Sequence, residues 1–309
     1  MKTKQSSLET IFISLIFSVI FPLLAMNGYG VIYISNIEDL QKIGHEAGYP
    51  LDGEYELTQD IDASDTITWN DGAGFVPIGS DVNTAFTGIF DGKGYKIINL
   101  YINRTGIDYN GLFGCVGSEG QIKNLGLMGV QVIGRSYTGA LVGHNYRGTV
   151  SVCYSMGSVN GRWDTGGLVG YNWEGTVSSS YSTGSVTGYG EAGGLVGKNY
   201  EGRVESSYST SSVSGGDYAG GFVGRNNGGV VSESYSTGSV SGGWYVGGFL
   251  GENLGGTVRE CYSTGGVEGS KYIGGFVGNV NGGTMSDSYW DVESSGESNS
   301  AGGEGKTTG

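Results

Sequence analysis

Two histidines, His45 and His144, are the only imidazoles in the 309 residues, and their scarcity bounds the chemistry. His45-Glu46-Ala47-Gly48-Tyr49 begins like His-Glu-x-x-His, the helical signature in which two imidazoles one turn apart hold a metal ion. Tyr49 stands where the second imidazole has to be, so the signature fails. A serine triad needs an oriented histidine beside its nucleophile. His144 instead shares a repeat position with Tyr171, Lys198, Arg225, Glu252 and Asn279, and such variability reads as an exposed position. Asp60, Asp62 and Asp65 are the remaining reactive group. Two carboxylates two residues apart on a strand share a face and could serve as a glycosidase pair or a calcium site, but the segment is also a polar turn, which such residues favour for its own sake. No catalytic residue, metal ligand or cofactor is therefore expected. The better candidates are aromatic. Tyr146, Trp173 and Tyr200 recur at one position in three successive units and are expected to form a flat platform for sugar rings or a protein partner.

What must position these residues is a repeat. Gly139-Ala140-Leu141-Val142-Gly143 returns as Gly166-Gly167-Leu168-Val169-Gly170 and again from Gly193, Gly220, Gly247 and Gly274, always 27 residues apart. A unit this small cannot bury its apolar face alone and has to stack on its neighbours. Propeller blades need about 40–50 residues, and the Leu-x-x-Leu-x-Leu scaffold of leucine-rich repeats is missing. The calcium-binding Gly-Gly-x-Gly-x-Asp nonapeptide is also missing. The reading is all-β: a right-handed parallel β-helix, or β-solenoid, with 27-residue coils.

Within a unit, Val150, Cys153, Tyr154, Ser155 and Val159 recur with polar, variable residues between them, the pattern of short strands with an inward and an outward face. Whether the recurring tyrosines face in or out stays open. Asn145, Asn172, Asn199, Asn226 and Asn253 form another column. Asparagine tolerates the left-handed corner conformation, and identical amides can bond along a stack. Cys153 and Cys261 occupy one column, four periods apart, hence roughly 19 Å at one strand spacing per coil. A disulfide needs Cα atoms within about 7 Å, so no intrachain bridge is expected. They read as small core residues, like Ser180, Ser207, Ser234 and Ser288 in the same column.

Residues 1–28 read as a signal peptide, with Lys2 and Lys4 before the apolar run from Ile11 to Ala25. That run is shorter than the roughly 20 residues needed to span a bilayer, so export with no membrane-spanning mature chain is expected. Residues 31–138 form an N-terminal cap and irregular first coils, with stacking beginning near residue 55. In the cap, Ser35-Asn36-Ile37-Glu38 reads as a capping box ahead of a short helix carrying Ile37, Leu40 and Ile43. Residues 139–292 are six repeat units, and 293–309, rich in Ser, Gly and Glu, are expected to be disordered. The net charge of −14 excludes nucleic acid as an ordinary partner.

The unit Gly-Gly-Leu-Val-Gly-x-Asn…Gly-x-Val…Ser-Tyr-Ser-Thr-Gly-x-Val-x-Gly resembles the GLUG-motif repeat of secreted bacterial and archaeal proteins, which also accompanies some adhesins and some secreted IgA-cleaving peptidases. Leu57-Thr58-Gln59-Asp60-Ile61-Asp62-Ala63 and Tyr289-Trp290-Asp291 resemble the usual entry and exit of such regions. The resemblance implies an extracellular or cell-surface, adhesin-like protein. The expected function is a non-catalytic structural or adhesive module whose partner is a surface glycan or protein. The alternatives are a polysaccharide-active enzyme built on Asp60, Asp62 and Asp65, or a spacer within a larger surface protein.

Overall fold

The computed structural model describes residues 30–308; the expected signal peptide lies outside the described residues. The chain winds into a parallel β-solenoid whose strands fall into sheets of ten, eighteen and seven. The ten-stranded sheet takes one strand per coil, which makes about ten turns. One regular coil runs Val142–Tyr146 in the seven-stranded sheet, Thr149–Ser151 in the ten-stranded sheet, then Tyr154–Asn160 and Trp163–Gly166 in the largest sheet.

The sequence period becomes the strand register. Val142 pairs with Val169, which pairs with Val196, and Val150 with Val177 in the same way. Identical residues thus stack on identical residues, so Leu141, Leu168, Leu195, Phe222, Phe249 and Phe276 form one fully buried file. A smaller apolar cluster, including Val186, Ala192, Val213 and Ala219, packs separately from it. The glycine pair turns the chain between them under tight constraint. A Cβ at Gly193 would lie 2.6 Å from the backbone nitrogen of Gly224.

The asparagine column is a buried ladder. Asn145 Nδ2 donates to Asn172 Oδ1 at 2.7 Å, and the relay continues to Asn253 at 2.8, 2.9 and 2.9 Å. Each Nδ2 also donates to a glycine carbonyl three residues on, closing the corner. The left-handed corner residue is not the asparagine but Arg147, Glu174 or Glu201, two places later. The asparagine is there for its hydrogen bonds, because a buried backbone carbonyl has to find a donor. Serines form a second ladder: the backbone N–H of Cys153 donates to Ser180 Oγ, that of Ser180 to Ser207 Oγ, and that of Ser207 to Ser234 Oγ. Cys115, Cys153 and Cys261 are free and buried, and burial pushes each thiol up to about 12.

Three expectations change. Stacking begins at Ile32–Ile34, which pairs in parallel with Tyr55–Leu57, and not near residue 55. The capping helix, α1 (Ile37–Lys42), does bury Ile37, Leu40 and Ile43, but its cap is Asn36, whose side chain accepts from the Asp39 N–H. The capping pair therefore sits one residue later than Ser35 and Glu38. The C-terminal segment is ordered. Helix α2 (Val292–Ser295) turns the chain, and Glu304–Lys306 pairs in parallel with Tyr289–Asp291. Ser300 Oγ accepts the N–H groups of Phe276 and Val277, and Trp290 donates to the Glu297 carbonyl. Composition misleads here because the tail is held by backbone and hydroxyl bonds to a strand edge, which need no apolar side chain of its own.

Candidate functional site: aromatic columns on the coil surface

Tyr146, Trp173 and Tyr200 end three successive strands in register and are half-buried. They do not form the expected flat platform. Tyr146 meets Trp173 at 5.8 Å and 78°, and Trp173 meets Tyr200 at 5.4 Å and 57°. Spacing explains this. Coils repeat every ~4.8 Å, whereas coplanar rings in van der Waals contact need about 6–7 Å between centres. Rings in register therefore have to tilt or overlap.

The three residues are the outer layer of a larger cluster that sequence columns taken singly did not reveal. His144 stacks on Tyr171 at 5.0 Å and on Tyr137 at 5.5 Å, and Tyr109 lies tilted against Tyr137 at 5.1 Å and 35°. Trp173 joins this layer through Tyr171 at 5.9 Å. His144 is only 3% exposed, which corrects the surface position read from its variability. Neither ring nitrogen has a hydrogen-bond partner, and desolvation holds its pKa down to about 4, so the ring is neutral. Tyr137 stacks over it, and the column of Tyr137, Asp164, Glu191, Tyr218, Tyr245 and Tyr272 runs alongside the His144 column, Arg225 meeting Glu191 and the Tyr218 ring. Left-handed backbone at Tyr137 and Asp164 is part of that arrangement.

The middle of the seam is ionic. Asp164 and Glu191, on adjacent coils, are 8% and 9% exposed, and Asp164 Oδ1 has no partner. Burial first and the Glu191 charge second push the Asp164 carboxyl up to about 7. Arg225 approaches Glu191 at 3.8 Å but lies closer to Glu252, at 2.7 Å, without its N–H aimed at that oxygen. Lys198 sits over the Tyr171 ring at 5.3 Å. Cations are thus present but committed elsewhere, which leaves Asp164 short of compensation.

The recurring tyrosines, undecided from sequence, face outward. Tyr154, Tyr181, Tyr208, Tyr235 and Tyr262 stack at 4.7–4.9 Å with interplanar angles of 2–6°. At that spacing the ring faces cover one another, so the stack shows solvent its edges and hydroxyls. The sequence signal was invariance at an outward position, where nothing in the core demands it.

Asp60, Asp62 and Asp65 do not converge on a site. Asp60 accepts the Lys96 N–H at 2.9 Å and Asp62 the Ser64 N–H at 2.9 Å, and that bond holds the Asp62 carboxyl below its ordinary range. Asp65 lies exposed in a 3-10 turn. His45 lies beyond the end of α1, beside Trp69 and Glu46 in a separate cleft. Among the described residues no group of His, Cys, Asp or Glu is disposed to hold a metal ion, and no helix is long and apolar enough to cross a membrane.

A ten-turn stack with repeated surface columns and buried amide ladders is a repeat solenoid, with its chemistry spread over many coils. Three of its repeats, residues 161–187, 188–214 and 242–268, match the GLUG motif. The chain is 43% identical over 131 residues to halomucin of Haloquadratum walsbyi, covering 42% of this chain and 1% of that protein. It is 42% identical over 95 residues to a putative Gly-rich membrane protein of Evansella cellulosilytica, covering 30% of this chain and 11% of that one. The chain thus spans a small part of the curated relatives it matches. A putative immunoglobulin A1 protease from Bacteroides ovatus shares the fold, with a TM-score of 0.60, 20% identity and coverage of 89% of this chain and 84% of that one. A second solved structure, an IgA1 protease, aligns at 0.60 with 16% identity, over 86% of this chain and 21% of that one.

Proposed function

We propose that this chain is a non-catalytic structural and adhesive module of an extracellular or cell-surface protein, binding an extended glycan or protein along its coils. The observation that carries this reading is the outer aromatic layer, Tyr146, Trp173 and Tyr200, held at fixed spacing on successive coils. Half-buried rings backed by a packed inner layer lose little conformational freedom on contact, which is what makes aromatic anchors effective. Equivalent contacts on successive coils add through effective concentration and need no single deep pocket. Similarity to halomucin and to a Gly-rich membrane protein supports placement at a surface. The commitment of Asp60 and Asp62 to backbone N–H groups weighs against the polysaccharide-active alternative.

The test compares the intact chain with Trp173→Ala and Tyr146→Ala in cell-binding and glycan-array assays. A loss of at least tenfold in apparent affinity is expected for Trp173→Ala, with circular dichroism unchanged. Binding equal to wild type in both variants would remove this patch as the contact surface.

A further inference from the structure

The parallel tyrosine stack ends beside Lys306 on one side and against the Gly126 backbone on the other. Beyond Tyr262 its column continues to Tyr289, over whose ring Lys306 sits at 5.2 Å. At the opposite end the residue paired with Tyr154 is Gly126. A side chain there has no room, because its Cβ would collide with the phenol carbons and hydroxyl of Tyr154. Tyr154 is thus the last ring of the stack and has one ring neighbour in it, Tyr181. Beside these two rings opens a cleft of about 640 Å³, within the ~300–1,000 Å³ that small-ligand sites occupy.

Part of the lining is polar and rigid. Asp91 accepts the Lys93 N–H at 2.8 Å and Asn124 Nδ2 at 3.0 Å. Its carboxylate also faces the ammonium groups of Lys93 at 3.8 Å and Lys123 at 3.7 Å. Despite the opposing cost of burial, these partners hold the Asp91 carboxyl below its ordinary range. Lys93 is fixed further by Glu56 at 2.9 Å. Lys93 and Asn124 both hold left-handed backbone, so each side chain leaves a turn of defined shape. Aromatic edges, a set donor, an acceptor and a cation thus line one small cleft.

We propose that this cleft binds a saccharide unit, the C–H face of a pyranose ring lying against the exposed edges of Tyr154 and Tyr181 and its hydroxyls reaching Asp91, Asn124 and Lys93. A pyranose has the matching anatomy, with an apolar face and a polar rim. A flat phosphorylated base would share the aromatic contact but would bring its phosphates against Asp91 in a chain of net charge −14. The site is separate from the Trp173 patch and stands or falls independently of it.

The experiment is saturation-transfer NMR and calorimetry on the intact chain, with soluble neutral hexose and hexuronate oligosaccharides as probes and adenosine monophosphate as the competing class. Transfer to pyranose C–H protons is expected, kept in Tyr154→Phe and Trp173→Ala. Affinity should fall at least tenfold in Tyr154→Ala and Asn124→Ala and measurably in Lys93→Ala. Asn124→Ala and Lys93→Ala decide the matter if Tyr154→Ala disturbs the stack. No transfer to any saccharide, transfer unchanged in Asn124→Ala and Lys93→Ala, or binding of the nucleotide alone would each overturn the assignment.

Discussion

Two buried titrating groups in one seam should oppose each other, so that the wild-type protein hides part of both. The Asp164 carboxyl rises from 3.8 in an unstructured chain to about 7 in the fold. The native state therefore holds a proton that the unfolded state has already released, and stability contributed below pH ~4 is lost as pH rises towards 7. At about 1.4 kcal/mol per pKa unit, the full span is at most about 4 kcal/mol. His144 falls from 6.5 to about 4, so the unfolded chain takes up a proton the native state refuses. Its contribution is present above pH ~6.5 and is lost as pH falls to 4, over about 3 kcal/mol. Burial lowers His144, and burial with the Glu191 charge raises Asp164, so neither shift rests on the other group.

Between pH 4.5 and 6.5 the two slopes have opposite signs, so each offsets part of the other in the wild type. Asp164→Asn should uncover the histidine, giving stability that rises with pH and exceeds wild type by up to about 4 kcal/mol at pH 7. His144→Phe should uncover the carboxyl, giving stability that falls with pH. Urea midpoints across this range measure both, with backbone hydrogen exchange of residues 142–146 and 163–166 following the two strands locally, because repeat arrays can unfold piecewise. The reasoning is refuted if Asp164→Asn keeps the wild-type pH profile, or if both variants tilt the same way.

Two further predictions concern the ladders and thiols. Asn199→Ala should cost about 2–4 kcal/mol in thermal or urea unfolding, because it leaves Asn172 Nδ2, Asn226 Oδ1 and the Gly202 carbonyl without their buried partner; a loss under 0.5 kcal/mol would contradict a structural role. The three thiols should stay unlabelled by a disulfide reagent at pH 8 until denaturant is added, since burial raises each to about 12; release of even one equivalent from folded protein would count against the assigned packing.

How much of this was legible in the sequence differs from column to column. Register, the asparagine ladder and the core role of Cys153 followed from the period, because parallel stacking places equal positions on one another. His144 was misread because variability was taken as exposure. Its column is variable yet flanked by the adjacent column, and which columns lie side by side depends on how the glycine corner folds, a fact no single column contains. Tyr146, Trp173 and Tyr200 were correctly grouped, but their tilt follows from ring width against coil spacing, and the half-buried Tyr109 and Tyr137 and the buried Tyr171 in contact with them through the cluster belong to other columns. The tail was misjudged because composition counts apolar side chains and misses what a strand edge offers to backbone and hydroxyl groups.

The asparagine ladder also gives the molecule a direction. Every rung donates the same way, from Nδ2 of one coil to Oδ1 of the coil after it. Asn145 Oδ1, at the start, has no donor, and the position after Asn253 is Val280, which offers no side-chain acceptor. Five amide dipoles therefore align head to tail along the axis, each polarising the next. The stack has unlike poles, an acceptor end and a donor end, and added rungs would strengthen those already present. Long arrays of this unit should therefore be favoured over short ones, and two arrays could continue each other's ladder only head to tail.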